Sequence, residues 1–369
     1  MPALLHRQIG QLVVVGFDGT ALPDEIRALA REFDLGGVIL FARNVESPEQ
    51  VAAIGVEAQQ LASDLPLWVG VDQEGGRVAR LRRPLTEWPP ASALGRSGDE
   101  ALAKRFAGAL ARELLAVGFS IDFTPVLDVL TNPHNPAIGD RALGDRPEVV
   151  ARLGAVIVRS LQEAGLAACG KHFPGHGDTG VDSHLDLPVV EHPPDRLHAV
   201  DFVPFRAAID AGVAAIMTGH LLVPSLDGEY PATLSARIVT DVLRGDLGFD
   251  GLVFTDDLDM KAISGRTPKE RASVAAIRAG CDVALLCGKD ASAHAASVEA
   301  LIRAVERDEL PLARVEAALA HQRRAKERFA AMPGTTLDRR WRPRPASELR
   351  VLVGCDEHQA IAGEMRRYA

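Results

Sequence analysis

Eight short, largely apolar runs recur along the chain at intervals of roughly 25 to 50 residues. They are Leu12–Phe17, Gly37–Phe41, Leu67–Val71, Phe119–Pro125, Leu166–Lys171, Ala214–Thr218, Gly251–Thr255 and Asp282–Cys287. Continuous rather than alternating Val/Ile/Leu runs suit parallel strands buried on both faces. The segments between them carry helix signals. Ser47-Pro48-Glu49 supplies an N-cap and then a proline at the first helical position, opening a helix to about Leu61. Asp99 to about Val117 is rich in Ala, Leu and Arg and is stopped by Gly118, and Pro147 is placed to begin a further helix. Eight strands alternating with helices predict an α/β fold of the (β/α)8 TIM-barrel type. A doubly wound open sheet is the competing architecture, and no GxGxxG follows the first run to support it.

The barrel is expected over residues 1–334 as a single domain. Residues 335–369 are expected to be a short C-terminal extension. It begins with an extended arm, Arg339-Arg340-Trp341-Arg342-Pro343-Arg344-Pro345, and ends in a tail, Leu349–Ala369, that is read as a strand and a helix.

Composition narrows the partners. The 369 residues include 41 Lys+Arg and 50 Asp+Glu, a formal charge of −9, whereas a nucleic-acid footprint needs clustered cations. A hydrophobic fraction of 47% excludes disorder over most of the length. Cys169, Cys281, Cys287 and Cys355 form no CxxC pair, which fits reduced thiols. The opening stretch, MPALLHRQIGQLVVVGFDG, lacks the pattern of a signal peptide, and no run approaches the ~20 apolar residues of a membrane span. The expectation is a soluble cytoplasmic protein with neither nucleic-acid nor membrane partners.

In such a barrel, reactive side chains gather where strands end. The third run leads into Val71-Asp72-Gln73-Glu74-Gly75-Gly76-Arg77-Val78-Ala79-Arg80, and the fourth into Asp128 and a loop with Gly139-Asp140-Arg141. The fifth leads into Lys171-His172-Phe173-Pro174-Gly175-His176-Gly177-Asp178, the sixth into His220 and the seventh into Asp256-Asp257. Asp256 is the sharpest candidate, a carboxylate delivered to the barrel mouth by an apolar strand. Spacing alone leaves Asp257 as the alternative, with Asp256 as a helix cap. Asp182 and His184 are two apart, close enough for a carboxylate to orient an imidazole suited to proton transfer near neutral pH. His172, His176, Asp178, Asp182 and His184 also permit a metal reading, though no HExxH or first-strand HxH accompanies them. No GxxxxGK[ST] supports a phosphate cradle.

The runs VDQEGGRVAR, GDRALG, KHFPGHGDTGVDSH and FTDDLDM, within residues 5–330, make the chain resemble glycoside hydrolase family 3. The resemblance is to the single-domain bacterial β-N-acetylglucosaminidases of the NagZ type. It implies a TIM-barrel catalytic domain, a nucleophile at Asp256, and an acid/base at His184 oriented by Asp182. It places sugar-binding positions at Asp72, Arg80, Arg141, Lys171 and His172. It also implies a retaining exo-β-N-acetylglucosaminidase that needs no cofactor or metal and acts on muropeptides or chitooligosaccharides. A glycoside phosphorylase on the same residues, a metal-dependent hydrolase and a non-catalytic sugar-binding protein are the alternatives.

Overall fold

The computed structural model describes residues 3–330 and 344–369. Eight strands close a barrel: β1 (Val13–Val15), β2 (Gly37–Leu40), β3 (Trp68–Val71), β4 (Ile121–Asp122), β5 (Ala167–Phe173), β6 (Ala215–Thr218), β7 (Leu252–Asp257) and β8 (Val283–Leu286). Each pairs in parallel with its neighbour in the chain, and β8 closes on β1 with Val13 opposite Ala284 and Val15 opposite Leu286. Every predicted run overlaps one strand, with β5 and β7 each running two residues past the predicted end.

The side-chain period of two, with both faces buried, explains why the runs are mostly apolar. Val13 and Val15 pack outward with the helices, whereas Val14 joins the barrel interior with Ile39, Trp68, Ile121, Phe123 and Phe254. Phe123 and Phe254 meet edge to face inside, with ring centroids 5.5 Å apart. Burying a side chain of this size stabilises by roughly 1.5–3 kcal/mol.

The three signalled helices form as Pro48–Gln60, Glu100–Ala116 and Pro147–Ala164. Ser47 Oγ accepts from Gln50 N at 3.1 Å, and Asp99 accepts from Ala101 N at 2.7 Å. Gly118 follows the second helix with φ 91°, a conformation that suits glycine. Strand β4 is shorter than its run, although Thr124 O and Pro125 O still accept from Cys169 N and Lys171 N beyond its end.

Two elements differ from expectation. After β3 the chain makes a small antiparallel ribbon, Gln73–Gly75 with Val78–Ala79. The tail contains no strand: it forms two helices, Ala346–Leu352 and Asp356–Arg366. A closed barrel leaves no sheet edge for a further strand to join, so the tail instead buries Leu349, Ile361 and Met365 against the helical layer. Arg339–Pro343 of the arm lie outside the described residues, and beyond them Arg344 N donates to Ala116 O at 2.9 Å.

Candidate active site

A pocket of about 370 Å³ opens at the C-terminal ends of the strands. Parallel strands deliver their last side chains to one end, so residues far apart in sequence converge there. All eight predicted site residues line it: Asp72, Arg80, Arg141, Lys171, His172, Asp182, His184 and Asp256.

One wall is an ion-pair network. Lys171, from β5 and 2% exposed, lies 2.7 Å from both Asp72 and Glu74. Arg141 forks onto Glu74 with two bonds of 2.8 Å, and Arg80 reaches Asp72 at 3.2 Å. Burial pushes the carboxyls of Asp72 and Glu74 up, but Lys171 and the neighbouring arginines outweigh it and hold both low. Burial likewise opposes the charge on Lys171, and the two carboxylates overcome it and raise its pKa. Asp122, at the end of β4, has no such partner, and burial beside Asp72 and Glu74 pushes it up to about 8. Burial thus favours the neutral form of that acid, whereas the carboxylates of Asp72 and Glu74 each keep a countercharge.

His172 is set by Asp128, whose Oδ2 lies 2.7 Å from Nδ1 and leaves Nε2 facing Arg141 at 3.5 Å. His176 is pushed down to about 4 by burial, and its two ring nitrogens meet Thr179 Oγ1 at 2.6 Å and Ser183 Oγ at 3.1 Å. A neutral imidazole thus anchors the loop that carries Asp182 and His184. His184 Nδ1 lies 2.8 Å from Asp182 Oδ1, an arrangement in which Nδ1 donates and Nε2 is left free. The His184 side chain is 69% exposed, at the rim of the pocket.

The adjacent aspartates at the end of β7 differ in what they bond. Asp257 Oδ1 accepts from Asp259 N at 3.0 Å and from Cys287 N at 2.9 Å, so this carboxyl is tied to backbone. Burial pushes it up to about 6. Asp256 accepts only from Asp257 N, at 2.8 Å through Oδ1, and its Oδ2 has no protein donor among the described residues. Burial raises its pKa, but His172, His220 and Lys171 outweigh that and keep it ionised. Asp256 does not cap the short helix Lys261–Ser264, whose N-cap position is Met260.

The residues of the metal reading turn to protein partners. His172 meets Asp128, His176 meets two hydroxyls, and Asp178 lies 2.7 Å from His192. No group of three potential ligands is gathered among the described residues. Glu74 and Asp128 received no role from the sequence, yet one organises the ion-pair wall and the other sets His172. Their places just beyond β3 and β4 were the available signal.

A family model for the glycosyl hydrolase family 3 N-terminal domain matches residues 4–325. A beta-hexosaminidase of Alkalilimnicola ehrlichii is 41% identical over 297 residues, covering 79% of this chain and 83% of that protein. A beta-hexosaminidase of Thiobacillus denitrificans is 42% identical over 275 residues, 73% of this chain and 76% of its own. The solved family 3 β-N-acetylglucosaminidase of a Paenibacillus species superposes with a TM-score of 0.90 at 40% identity, covering 99% of this chain and 68% of that one. That superposition extends past residue 325, where the match to the family model ends. On sequence and fold together, the chain is a glycoside hydrolase and belongs to glycoside hydrolase family 3.

Proposed function

We propose that the chain is a retaining exo-β-N-acetylhexosaminidase that releases terminal β-linked N-acetylglucosamine. The observation that carries this reading is the contrast at the end of β7: Asp256 offers an ionised carboxylate with a free oxygen in the same pocket that Asp182 and His184 overhang. Asp256 attacks the anomeric carbon while His184 protonates the leaving oxygen through Nε2. Water then opens the glycosyl-enzyme, with His184 taking the proton back. The usual pair in retaining enzymes is two carboxyl groups, so the imidazole departs from that pattern. Asp182 offsets the change by fixing the tautomer and stabilising the imidazolium, as the carboxylate does in a Ser-His-Asp triad.

Arg80, Arg141, Lys171 and His172 present donors to the sugar, and Asp72 an acceptor. Because these groups already pair with one another, they are preorganised, and binding costs little reordering. No metal or organic cofactor enters the reaction. GlcNAc-containing muropeptides or chitooligosaccharides are the proposed substrates, with a cytoplasmic place in cell-wall recycling.

The test is release of p-nitrophenol from its β-N-acetylglucosaminide by wild type, Asp256→Ala and His184→Ala, with and without EDTA and phosphate. Activity that resists EDTA and disappears in Asp256→Ala supports the proposal. Activity lost to EDTA, or retained by Asp256→Ala, overturns it. Phosphate-dependent formation of a sugar 1-phosphate would reassign the acceptor.

A further inference from the structure

The ribbon that carries one side of the pocket is supported from behind by chain far away in sequence. Helix Asp356–Arg366 buries His358, Ile361, Ala362 and Met365, a stripe at i, i+3, i+4 and i+7, and packs on helix Glu100–Ala116. At the centre of this seam sits Glu113, 1% exposed. Its carboxylate accepts from Gly354 N at 2.7 Å and lies 2.8 Å from His358 Nδ1. It also accepts from Thr86 N at 3.0 Å and Thr86 Oγ1 at 2.7 Å. One buried carboxylate therefore joins the tail to the segment that precedes Trp88. Two more contacts fix that segment: Arg366 donates to Glu87 O at 2.9 Å, and the Trp88 indole meets Phe106 edge-on at 5.1 Å.

Trp88–Pro90 is in turn the bed of the ribbon. Gly76 N donates to Trp88 O at 2.8 Å. Gly75 and Gly76 have φ of 102° and 57°, and a Cβ on Gly75 would stand 2.4 Å from Pro89 O. The turn is pressed flat against this segment, and it sends Glu74, Arg77 and Arg80 into the pocket.

We propose that the C-terminal helix is a positioning element of the sugar pocket, acting through the His358–Glu113–Thr86 junction on the ribbon that holds Glu74 and Arg80. This rests on reading the barrel-mouth pocket as the sugar site. His358 lines no part of that pocket and acts only through other residues. Loosening the junction frees the ribbon and weakens the grip of Glu74 on Arg141 and Lys171. Asp256 on β7 and the Asp182–His184 loop keep their own supports, so substrate binding weakens while bond making is preserved.

Four variants of the full chain test this: His358→Ala, His358→Asn, Thr86→Val and, as a stability control, Val298→Ala at a buried position on helix Ala291–Glu306. Steady-state hydrolysis of the p-nitrophenyl substrate is measured together with hydrogen exchange of the ribbon amides. His358→Ala is expected to raise KM about five- to tenfold with kcat within about twofold, and to speed ribbon exchange. His358→Asn keeps a donor near the Nδ1 position and is expected to restore KM to within about twofold. Thr86→Val reaches the same junction from the other side, and is expected to shift KM and exchange in the same direction even where His358→Ala folds poorly. Val298→Ala lowers thermal stability without moving KM. Ribbon exchange and KM in His358→Ala and Thr86→Val that follow the Val298→Ala control overturn the inference. A wild type that releases no p-nitrophenol, with ribbon exchange still faster in the junction variants, overturns the reading of the pocket and leaves the brace standing.

Discussion

Lys171 at the barrel mouth and Lys326 at the opposite end are both buried, at 2% and 0% exposure, but they are held in different ways. Lys171 sits between two carboxylates, which keep it charged against the cost of burial. Lys326 donates to Gln11 Oε1 at 2.6 Å and Gly36 O at 2.8 Å, both neutral acceptors, beside the Trp68 ring. Burial pushes it down to about 7. The mouth thus maintains charge in low dielectric by pairing it, a fixed array of donors and acceptors for a polar ligand. The floor instead hydrogen-bonds Lys326 and the Trp68 indole to neutral groups and closes the barrel with Trp68 and Phe329. Burial alone therefore does not set a lysine's charge; the carboxylates within reach of it do.

The contrast breaks first at the paired aspartates of β7. Asp256→Asn is expected to lower kcat by about 10⁴-fold or more, and Asp257→Asn, whose partner groups are backbone, by less than about tenfold. Equal losses in steady-state assays would erase the distinction between them. Lys171→Met leaves Asp72 and Glu74 uncompensated. It is expected to reduce kcat/KM by about 10³-fold and to destabilise the fold by about 3–5 kcal/mol in urea titration. His184→Ala is expected to cost about 10²- to 10⁴-fold on substrates with poor leaving groups, less on p-nitrophenyl glycosides, and to remove one limb of the pH–rate profile. An unchanged profile would give the acid/base role to another group.

Lys326→Met has the smallest effect on activity, within about twofold. Its signature is in stability. The lysine has a pKa of 10.5 unfolded and about 7 folded, so between these values the unfolded chain retains a proton that the folded chain has released. Wild-type stability therefore gains from this group as pH rises through that window, by up to about 1.4 kcal/mol per pH unit, and the full penalty applies below pH 7. The variant should lack this contribution in denaturant titrations between pH 7 and 10. A slope identical to wild type would mean that Lys326 stays charged in the fold.

Much of the barrel was legible because its cause is local. Each strand is buried on both faces, so the runs are mostly apolar, and Ser47, Asp99 and Gly118 punctuate helices through their own backbone preferences. The tail was misread as containing a strand for a non-local reason: in a closed barrel no edge remains for it to join. The site was legible as a set of polar residues at strand ends, and the family motifs sharpened it to eight positions. Partnership was not legible. Nothing in the run Thr255-Asp256-Asp257 shows that one carboxyl is bound by the backbone of Cys287, because that contact depends on the register between β7 and β8.

By itself, then, the sequence determined the architecture, the end of the barrel where the polar residues gather, and the family, since periodicity, capping and motif spacing act over a few residues at a time. Only the tertiary structure decided which carboxylate is free, which buried acid is left without a countercharge, and how the C-terminal helix reaches the pocket through Glu113. The physical reason is that pKa values and hydrogen-bond partnerships are set by what lies a few ångströms away in space, whatever its distance along the chain.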